Sequence, residues 1–277
     1  MMILVTGASG HVGSELVKLL ANGKRPVRAL IRDVETIRSS RGVEYVSGDL
    51  NRPETLAGVF AGVEALFLLG GFADMPGVLA QARKAGVAHV VLLSSRSVVG
   101  GKPDNAVVRM HRTSEAAVHE SGLGWTVLRP SGFMSNTLQW RAQLQAGDVV
   151  RVPFADVPIA AIDPRDIAAV AAAVLGRQAH YGLSHALSGP VALRPADQLA
   201  ILAQVLRRPL RLEAQPDDEA RTEMSRTTPS EFVDAFFRFF VEGEFDDTPI
   251  LPTVEDLTGR PPRSFAEWAT VHAAAFS

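Results

Sequence analysis

The chain has 277 residues, a formal net charge of −2 and a hydrophobic content of 47%, which together favour a sizeable buried core. This balance supplies no basic field for nucleic acid, and the absence of cysteine excludes disulfides, thiolate catalysis and cysteine-ligated metal. No apolar run reaches the length of a transmembrane helix, and the opening stretch MMILVTGASG lacks the features of a targeting segment. We therefore expect a cytoplasmic protein, monomeric or homodimeric, that binds a small molecule rather than nucleic acid or a membrane.

Short β-branched runs alternate with helix-like stretches over the first half of the chain. The runs predict strands at 3–6, 27–31, 43–46, 65–69, 90–94 and 125–129. Helical spacing of apolar residues fills the gaps between them at 12–21, 53–60, 76–85 and 111–121. Strands that are almost continuously apolar and alternate with helices form buried parallel sheets. Six of them predict a doubly wound α/β fold of the Rossmann type.

The pattern changes after residue 130. Further strands are predicted at 157–163 and 210–214, and further helices at 164–176, 195–206, 229–243 and 263–276. We interpret residues 1–130 as the Rossmann core and residues 131–277 as a smaller α+β substrate lobe, packed together as one structural unit. The lobe should lie over the carboxyl ends of the sheet strands, where ligands of doubly wound folds bind.

A glycine-rich turn, VTGASGHVG, follows the first predicted strand and opens the first helix. Gly7 permits the tight turn, Gly10 lets a pyrophosphate approach the backbone, and Gly13 lets the helix pack closely on the strand. The helix N-terminus adds free N–H groups and the positive end of its dipole. We therefore predict a dinucleotide site that includes the whole turn: Gly7, Ala8, Ser9, Gly10, His11, Val12 and Gly13. The alternative is a glycine-rich turn with a purely structural role.

The spacing Gly-x-x-Gly-x-x-Gly, with TGASG, resembles the short-chain dehydrogenase/reductase superfamily, in particular its extended and atypical members. Three later stretches support the resemblance: SGDL at 47–50, LLGG at 68–71 and LLSS at 92–95. The resemblance implies that Asp49 and Leu50 border the adenine, and that Leu69 and Gly70 pass the cofactor ribose. It also places Ser94 at the position of the family's catalytic serine or threonine.

The end of the second predicted strand bears on the choice of dinucleotide. Arg32 comes first at this end, with Asp33 behind it. A guanidinium there can stack on adenine and pair with a 2′-phosphate, so the sequence favours NADP (NADPH) over NAD. The alternative is a solvated pair in which Asp33 binds the ribose 2′-hydroxyl of NAD.

The predicted helix after the fifth strand begins HRTSEAAVHESG, where short-chain dehydrogenases carry Tyr-x-x-x-Lys. His111 stands in the place of the tyrosine and Glu115 in the place of the lysine, and this carboxylate would raise the pKa of a nearby histidine. Three roles stay open for His111: proton donor to a reduced substrate, partner of the cofactor ribose or pocket wall, and part of a polar helix face. We predict no metal, because His119 does not complete His-Glu-x-x-His spacing and no other ligand cluster is evident.

The combination of His-x-x-x-Glu with SGLGWTVLRPSGFMSN at 121–136 resembles the NmrA-like atypical subgroup, as does the C-terminal stretch at 256–276. This resemblance covers nearly the whole chain. It implies either an NADPH-dependent reductase of quinones, azo dyes or triphenylmethane dyes, or a redox-sensing regulator that binds the dinucleotide without turnover. It also carries Ser131, Gly132 and Phe133 over as pocket residues at the nicotinamide face, and we expect Pro130 and Phe133 to lie beside the cofactor.

Aromatic residues in the second half indicate an apolar substrate site. Phe133 and Trp140 are predicted either to form a stacking wall or to belong to the core, and Asn136 either orients a ligand carbonyl or caps the next helix. In the aromatic helix at 229–243, Phe237 points away from the packing face and is predicted to reach the cleft. The packing face itself is predicted to hold Phe232, Phe236, Phe239 and Phe240.

Two carboxylates, Asp163 and Asp166, follow one another closely in the stretch AIDPRDIAAV. Their spacing is compatible with a pair for acid–base chemistry. However, an aspartate directly before a proline that opens a helix is typical of an N-cap. We therefore interpret Asp163 as a structural residue.

These observations predict an NADPH-dependent oxidoreductase that transfers hydride to an apolar electrophile such as a quinone, enone, imine or dye. Few convergent charges are visible on the substrate side, which disfavours a phosphorylated or sugar-nucleotide substrate. One alternative is a non-catalytic NADP(H) sensor. Another is a non-redox cyclase or isomerase with His111 and Ser94 as its acid–base groups.

Overall fold

A computed structural model of the chain describes residues 1–34 and 41–276. The strands within these ranges are β1 (Met2–Val5), β2 (Val27–Ile31), β3 (Val43–Ser47), β4 (Val63–Leu69), β5 (His89–Leu93), β6 (Gly124–Pro130), β7 (Val149–Val152), β8 (Leu183–Leu187) and β9 (Arg211–Ala214). Seven of them form one parallel sheet in the order β3-β2-β1-β4-β5-β6-β8, and β7 pairs with β9 in a small parallel sheet. Because the strand order reverses beside β1, the predicted doubly wound Rossmann fold is confirmed.

Helices cover both faces of the large sheet. They are α1 (His11–Asn22), α2 (Met75–Lys84), α3 (Ser97–Gly100), α4 (Ala106–Glu120), α5 (Arg141–Ala146), α6 (Pro164–Val174), α7 (Pro195–Leu206), α8 (Asp217–Met224), α9 (Ser230–Phe240), α10 (Thr253–Thr258) and α11 (Phe265–His272). On one face α1 packs on α6, and on the other α2 packs on α4. None of the helices in the described ranges is long and apolar enough to cross a bilayer.

The first strand shows how side-chain alternation serves these two layers. Ile3 and Val5 join the hydrophobic core under α1 and α6, whereas Leu4 joins the core under α2 and α4. All three side chains are fully buried. Burial on both faces explains why the central strands appear in the sequence as continuous apolar runs.

The predicted division at residue 130 does not coincide with a boundary of the sheet. Both α6 and β8 lie beyond it, yet β8 pairs with β6 and α6 packs on α1. Arg25, just after α1, donates hydrogen bonds to the carbonyl oxygens of Ala172 and Leu175 over 2.9 Å and 3.1 Å. The sequence prediction missed β8 because LSHAL lies at the sheet edge with only Leu187 fully buried, so it forms no apolar run.

Two predicted elements of regular structure were wrong. The stretch 157–163 forms no strand and makes two isolated bridges, Ile159 with Leu193 and Ile162 with Phe133. Pro158 has no N–H to give to a strand ladder, which keeps this apolar stretch out of a sheet. The predicted helix at 53–60 is only a 3₁₀ turn, Pro53–Leu56, because Gly58 adopts a left-handed φ of 78°.

The lobe beyond the large sheet has a hydrophobic core of its own. Helices α5, α7 and α11 and the small sheet contribute to it. Its fully buried side chains include Phe265, Trp268 and Phe276, and Trp140 is buried in the same cluster. This core anchors the segment that follows β6, which runs past the carboxyl end of the large sheet.

Candidate active site

The glycine turn has the conformation that the sequence predicts. Gly7 adopts a left-handed φ of 59°, and a Cβ added there would lie 2.4 Å from Leu69 Cδ1. A Cβ on Gly13 would lie 2.1 Å from the carbonyl oxygen of Gly7. At Gly10 the only near atom is that same oxygen at 3.2 Å, so the space above this residue is open. The two outer glycines are therefore required for packing, and the middle one leaves room for a ligand.

The start of α1 adds an anion site to this turn. The helix begins at His11, its N-cap is Gly10, and its first turn contains no acidic residue. Because glycine has no side chain to cap the helix, the first N–H groups stay available to a ligand. A helix N-terminus of this kind favours phosphate.

The neighbouring strand ends bring the other predicted cofactor residues to the same edge. Leu69 lies under Gly7, and a Cβ on Gly70 would meet Ser114 Oγ on α4 at 2.9 Å. Asp49 and Leu50 are half-buried after β3, and an Asp49 carboxylate oxygen accepts a hydrogen bond from the N–H of Asn51 over 2.9 Å. The structure thus leaves little space beside Gly70 for any larger residue.

Two further cofactor predictions concern strand ends at opposite sides of the turn. Arg32 is exposed directly after β2. Pro130 is buried at the end of β6, and its carbonyl oxygen accepts a hydrogen bond from the N–H of Arg96 over 3.0 Å. Residues 35–40, which follow Arg32 closely in the sequence, lie outside the described ranges.

A buried polar cluster joins α4 to β5 and β6. Ser94 donates its hydroxyl to Glu115 over 2.6 Å, and Glu115 also accepts hydrogen bonds from Arg129 Nε and Nη2 over 2.9 Å and 2.6 Å. Burial alone would raise the pKa of Glu115, but the hydrogen bonds from Arg129 and Ser94 outweigh it and lower the pKa. The carboxylate is therefore ionised, and the Ser94 hydroxyl is engaged with it rather than free. Nothing in the sequence prediction paired Glu115 with Arg129.

His111 lies beside this cluster on α4. The helix begins at Ala106, where the Asn105 side chain accepts a hydrogen bond from the N–H of Val107, so His111 is not at the helix start as predicted. Its ring Nδ1 is buried and has no hydrogen-bond partner among the described residues. Burial lowers the pKa of His111, and the smaller opposing effect of Glu115 does not reverse this. The predicted raising effect of Glu115 on the histidine pKa is present, but desolvation outweighs it.

A cavity of about 570 Å³ lies between the glycine turn and the lobe. It starts at His11 and Phe133 and extends to residues of α7 and α9. Its aromatic wall consists of Phe133, Trp140, Phe154, Phe236 and Phe240. In the described part of the chain, none of its lining residues is Asp, Glu, Lys or Arg. Phe133 and Trp140, two of the predicted substrate residues, both line this space.

The prediction for the aromatic helix α9 was correct for Phe239, which is buried, but wrong about Phe237. Phe237 is only 4% exposed and packs edge-on against Phe154 at 5.1 Å between ring centroids, with the Arg221 guanidinium 4.2 Å from its ring centroid. It does not line the cavity, whereas Phe236 and Phe240 do. An apolar helix surface faces either a core or an apolar cavity, and its periodicity cannot distinguish the two.

Asn136 lines the cavity and is exposed, but it caps no helix. It lies inside a 3₁₀ helix, Met134–Trp140, whose N-cap is Phe133. The predicted cap at Asp163 is confirmed, since its carboxylate accepts a hydrogen bond from the N–H of Arg165 over 2.8 Å at the start of α6. Asn136 is therefore left as a polar group of the cavity wall.

The start of the cavity wall is held by an ion pair that was not evident from the sequence. Asp247 is 8% exposed and lies 3.1 Å from Arg96, and it accepts a hydrogen bond from the N–H of Gly132 over 2.9 Å. Burial raises the pKa of Asp247 to about 6, against the opposing effects of Gly132 and Arg96. The stretch after α9 is thereby fastened to the segment that carries Phe133.

The described residues contain no group of three or more His, Asp or Glu side chains able to hold a metal ion. His119, which the sequence analysis considered as a metal ligand, lies against Trp125 with ring centroids 4.2 Å apart. The polar groups around the turn include helix N–H groups, hydroxyls and imidazoles. This set suits an organic phosphate cofactor.

A family model described as NAD(P)H-binding matches residues 7–178, from the first glycine of the turn to beyond α6. The chain belongs to this NAD(P)H-binding family. The predicted resemblance to the NmrA-like atypical short-chain dehydrogenases/reductases is confirmed, and so is the nicotinamide dinucleotide as the class of cofactor. The open space at Gly10 and the uncapped start of α1 fit this cofactor.

Two curated relatives of this NAD(P)H-binding protein extend over the whole chain. A (4-alkanoyl-5-oxo-2,5-dihydrofuran-3-yl)methyl phosphate reductase of Streptomyces griseus is 42% identical over 285 residues, which cover 100% of this chain and 99% of the relative. An NAD(P)H azoreductase of Xenophilus azovorans is 35% identical over 286 residues, which cover 99% of each chain. Among solved structures, a Citrobacter triphenylmethane reductase complexed with NADP(H) has a TM-score of 0.78 at 22% identity, covering 99% of this chain and 100% of that one. At this identity the structural match shows the shared fold.

Proposed function

We propose that the chain is an NADPH-dependent reductase that transfers hydride to an apolar, electrophilic acceptor such as a quinone, enone, imine or dye. The observation that carries the proposal is the uncharged aromatic cavity that starts at the glycine turn. An apolar chamber beside a dinucleotide site excludes water and holds a flat acceptor against the cofactor. The two relatives that extend over the whole chain are both reductases, which supports the same reaction class.

The glycine turn would hold the pyrophosphate, and Asp49, Leu50, Leu69 and Gly70 would border the adenosine half of the cofactor. Pro130 and Phe133 would lie beside the nicotinamide, which supplies the hydride when it is bound. Arg32 would select NADP through its 2′-phosphate, because its guanidinium is exposed directly after β2. The NADP(H) complex of the Citrobacter enzyme is in accord with this choice.

The polar residues of α4 would hold the cofactor rather than exchange protons with the substrate. A neutral His111 with an unpartnered Nδ1 is suited to a hydrogen bond with a ribose hydroxyl. Ser94 would act through Glu115 as a positioning residue, because its hydroxyl already donates to that carboxylate. The proton that completes the reduction would come from solvent, which removes the need for the missing tyrosine and lysine.

The acceptor of this chain would be uncharged. The name of the Streptomyces griseus relative specifies an acylated oxo-dihydrofuran that carries a phosphate. The cavity here offers no lysine or arginine in the described ranges to pair with such a group. A panel with and without the phosphate therefore distinguishes the two specificities.

The test is a titration of the purified protein with NADPH and NADH, followed by nicotinamide absorbance in the presence of quinones, azo dyes, enones and a phosphorylated acyl furanone. We expect tight NADPH binding and oxidation that depends on an uncharged acceptor. Tight binding without turnover on any acceptor would support the dinucleotide sensor or the non-redox enzyme instead. Binding of neither nucleotide would contradict the assignment of the glycine turn.

A further inference from the structure

The hydroxyl of Ser135 is a buried polar group without a partner. Ser135 is only 5% exposed, and its Oγ is buried with no hydrogen-bond partner among the described residues. A buried hydroxyl left unsatisfied is unfavourable, so such groups mark places where a ligand or solvent completes the structure. The position lies on the segment after β6, beside the aromatic cavity.

The nearby Ser131 shows that an unpartnered hydroxyl is not a general feature of this segment. Ser131 is also buried, at 3% exposure, and its hydroxyl donates to the carbonyl oxygen of Ala160. The two serines are four positions apart in the sequence, and both are buried. Only Ser135 faces the cavity.

Ser135 and His11 line two adjoining spaces. The first is the aromatic cavity, and the second is a small polar pocket of about 90 Å³. The pocket also contains Ser14, Glu15, Asp163, Pro164, Arg165, Trp268 and His272. Ser135 therefore lies where an apolar chamber meets a polar one. A ligand there would have an apolar body with a polar atom at one end.

Among the described residues, the polar pocket offers no free cation to a charged end of the acceptor. Glu15 lies 3.4 Å from Arg165, so this guanidinium is already paired. Asp163 adds a second carboxylate, and His272 Nδ1 is engaged with the carbonyl oxygen of Trp268 over 2.8 Å. With two carboxylates and one paired cation on this side, a neutral oxygen of the acceptor fits the pocket better than a charged group. The cofactor phosphates would instead bind the N–H groups at the start of α1.

We infer that Ser135 is a specificity-determining residue whose hydroxyl donates a hydrogen bond to an uncharged carbonyl oxygen of the acceptor, with His11 lining the same position. The substrate class is then an aromatic or conjugated ketone rather than a pure hydrocarbon or an amine dye. The inference deepens the proposed function and rests on it for the identity of the site. Such an oxygen would satisfy the hydroxyl, which favours carbonyl acceptors over others of the same shape.

The experiment measures binding, not turnover. Equilibrium dialysis of the protein saturated with NADP⁺ gives dissociation constants for menadione, which has two ring carbonyls, and for methylnaphthalene, the hydrocarbon of the same shape. We expect Ser135→Ala to weaken menadione binding about three- to tenfold, the worth of one hydrogen bond, and to leave methylnaphthalene binding unchanged. The matched variant Ser131→Ala should leave menadione binding unchanged and lower Tm, whereas Ser135→Ala should not lower Tm.

Equal menadione binding by wild type and Ser135→Ala would overturn the inference. It would also be overturned if Ser135→Ala weakened NADPH binding instead, since the hydroxyl would then serve the cofactor. The proposed function fails separately: selective menadione binding without NADPH oxidation would sustain the role of Ser135 and refute the reductase. NADPH oxidation by menadione at unchanged affinity in Ser135→Ala would do the reverse.

Discussion

Glu115 accepts two hydrogen bonds from the Arg129 guanidinium, over 2.9 Å from Nε and 2.6 Å from Nη2. The pair joins α4 to β6, and Ser94 on the end of β5 donates to the same carboxylate. A position that holds lysine in typical short-chain dehydrogenases therefore serves here to fasten a helix to two strands. Its replacement by glutamate changes a group that acts on the cofactor into one that supports the architecture.

Removal of the charge on Glu115 should destabilise the protein strongly. Glu115→Gln leaves Arg129 without its counter-ion in a mostly buried place, so we expect the free energy of unfolding to fall by about 3 kcal/mol at neutral pH. Urea denaturation measures this change. Glu219→Gln is the control, because its pair with Arg151 is exposed on both sides and should contribute little. Similar losses in both variants would show that the buried pair has no special weight.

His111 should affect cofactor affinity rather than the chemical step. Replacement by alanine removes the hydrogen bond proposed for the ribose, so we expect NADPH to bind about tenfold more weakly while kcat at saturating NADPH changes little. Because burial lowers the pKa of His111, the imidazole stays neutral above about pH 6.5, and NADPH affinity should be flat from there to about pH 8. His119→Ala, on an exposed position of the same helix, should have no effect. A large loss of kcat at unchanged NADPH affinity would instead identify His111 as the proton donor.

Arg32 should discriminate between the two dinucleotides. Arg32→Ala is expected to weaken NADPH binding about tenfold and to leave NADH binding nearly unchanged, because only NADPH carries the 2′-phosphate. Fluorescence titration with each nucleotide measures the ratio. Arg52→Ala, which removes another exposed guanidinium, should not change it. Equal losses for both nucleotides would mean that Arg32 only stacks on the adenine.

Phe236 and Phe237 are neighbours in the sequence with opposite expected effects. Phe237→Ala removes a buried ring and should lower the free energy of unfolding by about 3 kcal/mol without weakening acceptor binding in the folded protein. Phe236→Ala should cost less stability but weaken the binding of an aromatic acceptor roughly tenfold, since this ring lines the cavity. Denaturation and equilibrium dialysis separate the two. The reverse pattern would restore the face assignment made from the sequence.

Asp247 and His89 should give opposite pH dependences of stability. Burial raises the pKa of Asp247 to about 6, so the folded state holds its proton more tightly than the unfolded state and loses stability as the pH rises from about 4 to 6. Burial lowers the pKa of His89 to about 4, so stability is lost as the pH falls from about 6.5 to 4. Each shift corresponds to about 3 kcal/mol. In the wild type the two contributions oppose each other.

Single variants should separate these two contributions. Relative to wild type, Asp247→Asn should gain about 3 kcal/mol of stability between about pH 4 and pH 7, and His89→Gln should lose a similar amount over the same interval. Urea denaturation across this range measures both slopes. Parallel curves for either variant and the wild type would show that the group has the same pKa in the folded and unfolded states.

The glycine turn and the sheet could be predicted because their causes are local. The spacing of Gly7, Gly10 and Gly13 follows from contacts within one strand, one turn and one helix, and the apolar strands are buried on both faces. The cap at Asp163 was equally readable, since it depends only on Pro164 and the next residues. Their sequence patterns are local, although the contact of Gly7 with Leu69 becomes visible only in the fold.

The remaining features depend on partners far away in the sequence. Arg129 on β6 pairs with Glu115 on α4, and Arg96 pairs with Asp247, which follows α9. No spacing rule in the sequence identifies either pair. The face of α9 that meets the cavity depends on where the lobe lies, which is why Phe237 was misassigned. That the hydroxyl of Ser135 lacks a hydrogen-bond partner can be recognised only from the structure, because the sequence does not show which groups surround a serine.

The packing of α1 on α6 cannot form until the ribosome has synthesised α6. Arg25 cannot donate its hydrogen bonds before Ala172 and Leu175 are synthesised. Likewise, β6 is the edge strand of the sheet until β8 is synthesised. A ribosome-bound chain that ends near residue 130 would expose the apolar side of α1 to solvent and to other nascent chains. We therefore expect the Rossmann core and the lobe to fold cooperatively, and a fragment cut between them should aggregate rather than bind nucleotide.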